Sequence, residues 1–149
     1  PKALAAADHV NRVNPSVDFT PVESFLTESE LVDIFKQVDV AVDCLGGLDT
    51  RLAIQRAAAQ ANIPLVTAAV AGWSGYAGSV FPGHTGPAEL FPVGGSAAED
   101  SLGCPAPTVA FAASLEAHEA LRILASEKPD SSPLLFFDLA SGSFDAVTL

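Results

Sequence analysis

The sequence predicts an α/β fold in which parallel strands, flanked by helices, give way to antiparallel strands. Two observations carry the first half of that statement. Val40 to Leu45 and Leu65 to Ala71 are nearly uninterrupted apolar runs, the mark of strands buried on both faces under helices. Each adjoins a segment with helical character, and a Gly-Gly turn at Gly46–Gly47 joins the first run to the helix after it. The third observation is a change of pattern after Trp73: a short GWSG turn, a glycine-spaced strand, and later two apolar runs separated by Ser141-Gly142, which reads as a hairpin.

Taken in order, Ala3 to Val13 is Ala-rich and predicts a helix that Asn14-Pro15 stops. Val17 to Val22 alternates weakly and reads as a short strand, with Pro21 indicating an edge or an irregularity. Thr27 and Glu30 form a capping box for a helix whose apolar positions are Leu31, Ile34, Phe35 and Val38. Asp49 is the expected N-cap of the next helix, which runs to about Ala61. Ile63-Pro64 restarts the chain into the Leu65–Ala71 strand. Gly75 to Phe81 is expected to pair antiparallel with it. Pro82 to Pro105 is rich in Gly, Pro, Ser and Ala and reads as a long loop, a kind of segment that tends to be functional. Pro107-Thr108 opens the longest helix, ending near Ser126. Its small residues Ala110, Ala112, Ala113, Ala117 and Ala120 suit close packing on a sheet or a second subunit. Leu134 to Leu139 and Phe144 to Leu149 complete the hairpin.

The 149 residues suffice for one domain with a real core, and 49% of them are hydrophobic, which excludes a disordered tail. The net charge of -11 argues against a nucleic-acid or anionic-membrane surface. No apolar run is long enough to span a bilayer and no signal-peptide layout is visible, so the expectation is a cytoplasmic protein with no membrane contact. The two cysteines, Cys44 and Cys104, make neither a disulfide framework nor a four-ligand zinc site. The absence of Met and the Pro-Lys start lead to the expectation of a piece of a longer chain.

The turn DVAVDCLGGLDTR, Asp39 to Arg51, is the chemical centre of the sequence. In an open α/β sheet such a strand–glycine–helix junction lies where ligands bind, because glycine lets backbone N–H groups approach them and a helix N-terminus favours an anion. A βα loop needs glycine for turning alone as well, and that reading stays open. No GxGxxG is present, which speaks against dehydrogenase-like dinucleotide binding.

The phrases PKALAAADHVNRVNPSV, VDCLGGLDTR, IPLVTAAVAGWSG, ELFP, ASLEAHEALRIL and LLFFDLASGSF occur in order across nearly the whole chain. Together they resemble the ThiF/MoeB/HesA family of adenylating enzymes, relatives of the ubiquitin-activating enzymes. The resemblance implies a Rossmann-like three-layer fold, truncated to the C-terminal half of an adenylation domain, as a single domain over residues 1–149. It implies ATP and magnesium as cofactors, and adenylation of the C-terminal Gly-Gly of a ubiquitin-like sulfur-carrier protein of the thiamine or molybdopterin type. It also implies a homodimer, with residues 82–105 as a crossover loop over the carrier's tail. The glycine-rich phosphate loop, ribose-binding acid and arginine of the family's first half are not in the sequence, so weak or no ATP binding by these residues alone is expected. An exposed sheet edge and self-association are expected too.

By the same resemblance, Lys2 stands where the family keeps a lysine on the ATP phosphates and is the one catalytic candidate. Asp43, Leu45, Gly46, Gly47 and Asp49 become nucleotide-facing candidates. The family's metal-holding acid and its neighbouring asparagine are replaced by Gly46 and Gly47, which puts magnesium in doubt. Arg51 reads as structural. Gly86 and Glu89 replace the first zinc-binding cysteine pair and the second pair is missing, so zinc is not expected; His84 reads as a solvated loop histidine. Cys104, before the long helix, is a candidate thiol for thioester or persulfide chemistry, or else a small buried residue. A non-catalytic, degenerate homologue that only dimerises or docks a partner is the alternative, and the paired glycines favour it.

Overall fold

The computed structural model describes residues 1–47, 50–90, 97–125 and 133–149. Its helices are α1 (Lys2–Val13), α2 (Glu28–Phe35), α3 (Arg51–Ala61), α4 (Ala98–Leu102) and α5 (Ala106–Leu124). Its strands are β1 (Ala41–Asp43), β2 (Leu65–Ala71), β3 (Ser74–Val80), β4 (Pro133–Asp138) and β5 (Ser143–Thr148). They form one sheet in the order β1-β2-β3-β4-β5. β1 and β2 are parallel, and every later neighbour is antiparallel. The expected switch from parallel to antiparallel pairing is therefore present, and so is the β4–β5 hairpin.

Helices cover both faces. On one, α3 brings Ala58 against Ala41, Leu65 and Val80, with Phe35, Ile54 and Ile63 at the margin. On the other, α5 packs Ala112 against Ala68, Ala77 and Phe137, and Phe111 meets Phe137 edge-on with ring centroids 4.9 Å apart. The small residue Ala112 thus serves packing on the sheet. Gly78 shows why β3 is glycine-spaced: a Cβ there would lie 2.5 Å from the Pro133 carbonyl oxygen and 2.9 Å from a Leu134 methyl.

Local chemistry explains most boundaries. Thr27 and Glu30 form the expected capping box, with Thr27 N–H donating to Glu30 Oε2 at 2.8 Å. Threonine's hydroxyl also donates to that carboxylate, which holds the Glu30 pKa below its ordinary value. α2 ends at Phe35, short of Val38, because Gln37 and Val38 turn back onto the carbonyls of Ile34 and Phe35. β1 stops at Asp43, because Asp43 Oδ1 accepts the Leu45 N–H at 3.0 Å and bends the chain. α3 ends with Asn62 in the left-handed region at φ 58°, a conformation asparagine tolerates.

One predicted element is corrected. Residues 17–22 form no strand. Asn14 Oδ1 accepts both the N–H and the hydroxyl of Ser16, which starts a loop. Pro21 lacks a ladder donor, and Val17, Phe19 and Val22 stay 41–48% exposed, so alternation had no face to bury. The stretch read as a loop over 82–105 carries a 3₁₀ turn (Pro87–Glu89) and α4. Asp49 and Ser126 lie outside the described residues; the N-cap position of α3 is Thr50, without a side-chain cap bond. β1 is an edge strand whose Val42 is 45% exposed. Among the described residues, no helix is long and apolar enough to cross a membrane.

Candidate functional site

The carboxyl end of β1, the turn after it and the start of α3 are locked by two buried charges. Asp43 is 2% exposed and Arg51 3%. Arg51 donates from Nη1 to Asp43 Oδ2 at 2.9 Å and to the Ala68 carbonyl at 2.7 Å. Its Nε donates to the Gly47 carbonyl at 2.9 Å, and its Nη2 to the Leu45 carbonyl. Thr67 Oγ1 adds a donor to Asp43 Oδ2 at 3.1 Å. Arginine alone has the fork of donors for this task. It ties strand β1, strand β2 and the glycine turn to the first residue of α3, in line with the structural reading of Arg51. Both oxygens of Asp43 are occupied, which leaves its carboxylate turned inward.

Gly47 sits at φ 81°, a region open to glycine without strain. Its N–H donates to Glu99 Oε1 at 2.7 Å. A Cβ on Gly46 would lie 3.2 Å from the same oxygen. A carboxylate thus does stand at the glycine turn, but it arrives from α4 and not from position 46.

Behind the turn lies a second acid. Glu116, on α5, is 7% exposed, with Oε1 buried and without a hydrogen-bond partner among the described residues, and Oε2 3.9 Å from Cys44 Sγ. Burial, followed by the negative charge of Asp43, pushes its pKa up to about 7. Desolvation of the sulfur, together with Glu116 and Asp43, raises the Cys44 thiol to about 11 although the residue as a whole is exposed. Cys44 is thereby held as a thiol and is a poor nucleophile.

Beyond α3, on the same sheet face, a groove of about 480 Å³ opens over β2 to β5. Ala69, Tyr76 and Phe136 floor it, Asp138 and Asp145 stand along its outer side, and Ala97 to Glu99 close its inner side. Its inner end therefore shares Glu99 with the Gly46–Gly47 turn. Burial raises the Tyr76 pKa, so the ring is a neutral floor.

Lys2 is exposed in the first turn of α1 and makes no ion pair or hydrogen bond with the described residues. Leu45 is 37% exposed beside the turn. Asp49 lies outside the described residues. Cys104 is exposed, which corrects the reading of a buried residue, and its Sγ lies 3.9 Å from the Val70 carbonyl. Gly86 and Glu89 are clasped by Gln55: its Nε2 donates to Glu89 Oε1 at 2.6 Å, and its Oε1 accepts the Ala88 N–H. Sequence reasoning missed Glu99, Glu116 and Asp145. Each meets the site across a long separation in the chain, and the acidic Glu99-Asp100 pair in the long loop was the only available signal.

The family model described as "ThiF family" matches residues 1–149. The chain is 28% identical over 155 residues to the molybdopterin-synthase adenylyltransferase of Escherichia coli (strain K12), covering 100% of this chain and 62% of that protein. It is 30% identical over 145 residues to the sulfur carrier protein ThiS adenylyltransferase of Bacillus subtilis (strain 168), covering 93% of this chain and 42% of that protein. A crystal structure of E. coli MccB with ATP has the same fold, with a TM-score of 0.71 at 15% identity over 99% of this chain and 47% of that one. The chain spans about half the length of these proteins.

Proposed function

Because this chain belongs to the ThiF family, we propose that it forms the carrier-binding part of an enzyme that adenylates the C-terminal Gly-Gly carboxylate of a ubiquitin-like sulfur-carrier protein. The observation that carries this reading is the groove over the antiparallel strands, whose inner end meets the Gly46–Gly47 turn through Glu99. An extended tail lying in it would deliver its terminal carboxylate to the end of β1. There the carboxylate oxygen attacks the α-phosphorus of ATP; the bond to the bridging oxygen breaks, and pyrophosphate leaves with the electron pair. Negative charge grows on the phosphates, and a cation stabilises it. Lys2 is the residue proposed for that role.

Among the described residues, the side chains at the turn do not build a magnesium site. Gly46 has no side chain, Asp43 is bonded to Arg51, Leu45 N–H and Thr67, and Glu99 is held by the Gly47 N–H. Among the described residues no three His, Cys, Asp or Glu side chains converge.

A second reading is a scaffold that docks a partner without turnover: Gly46 stands where the family keeps its acid, and the buried Asp43 carboxylate is spent on Arg51, Thr67 and the Leu45 N–H. ATP–pyrophosphate exchange decides between them, run with the complete protein and small carriers ending in Gly-Gly. Exchange that depends on the carrier supports the enzyme. No exchange with any carrier, together with no ATP binding, supports the scaffold.

A further inference from the structure

Arg51 and Gln55 lie about one turn apart on α3, and both are buried, at 3% and 6% exposure. Arg51 spends donors on the glycine turn; Gln55 spends its amide on the stretch from Gly86 to Glu89. Both ends of that amide are used. Nε2 donates to Glu89 Oε1 at 2.6 Å, and Oε1 accepts the Ala88 N–H at 3.2 Å. Glu89 Oε1 also accepts the Gly86 N–H at 3.4 Å, which closes the ring of contacts. Pro87, between them, is fully buried. Position 86 has no space for a side chain: a Cβ there would lie 2.2 Å from Gln55 Oε1 and 2.5 Å from its Cδ. With φ at -118° the backbone itself would accept other residues. Glycine is required there by the closeness of the amide.

Positions 86 and 89 are those at which the family resemblance places a zinc-binding cysteine pair. The residues here do not fit that ion. Structural zinc takes thiolate or imidazole ligands arranged as a tetrahedron. Here the Gln55 amide fills the space beside position 86, and Glu89 Oε1 already accepts two donors. We infer that Gln55 is a metal-free staple: with Glu89 it positions residues 86–89, and so the start of the 82–105 segment, on the helix that also holds the glycine turn. A buried neutral amide can do this because its polar atoms are paired, so burying it leaves no donor or acceptor stranded. The inference goes beyond the adenylation reading and holds whether the protein turns over or only docks a partner.

The test is hydrogen–deuterium exchange of the complete protein, read over residues 82–90, with residues 65–71 as the reference for an intact sheet. The wild type is expected to exchange over 82–90 at the same rate with and without a zinc chelator. Gln55→Ala is expected to exchange there about tenfold faster while 65–71 stays protected. Gln55→Glu sets two carboxylates against each other and should open the segment likewise. Combining it with Glu89→Gln puts one carboxylate and one amide back in exchanged places, and should restore most of the protection. A chelator that opens 82–90 in the wild type overturns the inference, and that arm needs no variant to fold. An unchanged rate in Gln55→Ala overturns it too, as does a swapped pair no better protected than Gln55→Glu alone.

Discussion

Arg51 Nη1 lies 2.9 Å from Asp43 Oδ2, and both side chains are sealed from water, at 4% and 1% exposure. The pair is the clamp on which the glycine turn depends. Removing the arginine alone strands a buried carboxylate. Arg51→Ala should therefore lower stability by about 3–5 kcal/mol, read from the urea midpoint. Arg51→Lys keeps the charge but loses the fork to Gly47, Leu45 and Ala68, and should fall between. A loss under about 1 kcal/mol for the alanine variant would mean that the clamp contributes little.

Glu116 gives the molecule a pH-dependent stability. Its folded pKa is raised from the ordinary 4.5 to about 7. The folded state therefore binds the proton more tightly than the unfolded state, and the contribution is complete below about 4.5 and lost as pH rises through about 7. Urea midpoints of the wild type and Glu116→Gln, compared at pH 5 and pH 8, should favour the variant more at pH 8. A difference that is the same at both pH values would contradict this.

Gly78 has no room for a side chain. Gly78→Ala would push a methyl to 2.5 Å from the Pro133 carbonyl oxygen and should destabilise by about 1–3 kcal/mol through strand displacement. Thermal melts read this directly; an unchanged melting temperature would show that β3 and β4 part without loss.

Glu99 and position 46 compete for one place. Gly46→Asp would bring a second carboxylate against Glu99 Oε1, already 3.2 Å from the Cβ position. It should destabilise alone and be relieved by Glu99→Gln, with a coupling on the order of 1 kcal/mol in a double-mutant cycle. Additive effects would place Glu99 elsewhere in solution.

Lys2 is testable only where turnover is measured. In carrier-dependent pyrophosphate exchange by the complete protein, Lys2→Ala should lower the rate by on the order of a hundredfold. An unchanged rate would remove Lys2 from the mechanism.

The sequence by itself determined what neighbours in the chain can settle. Apolar runs set β1 and β2, Thr27 and Glu30 set the start of α2, and Ser141-Gly142 set the final hairpin, because period, caps and turns are properties of a few adjacent residues. Where such signals were weak, as in residues 17–22, the outcome depended on whether a surface was there to bury them, and among the described residues Val17, Phe19 and Val22 stay 41–48% exposed. Only the tertiary structure decided the chemistry of the turn. It brought Glu99 to Gly47 across 52 residues and Glu116 to Cys44 across 72. It also set Asp145 in line with Phe136 and turned Asp43 inward onto Arg51. These relations follow from how the sheet stacks distant segments side by side, and no local periodicity encodes that stacking.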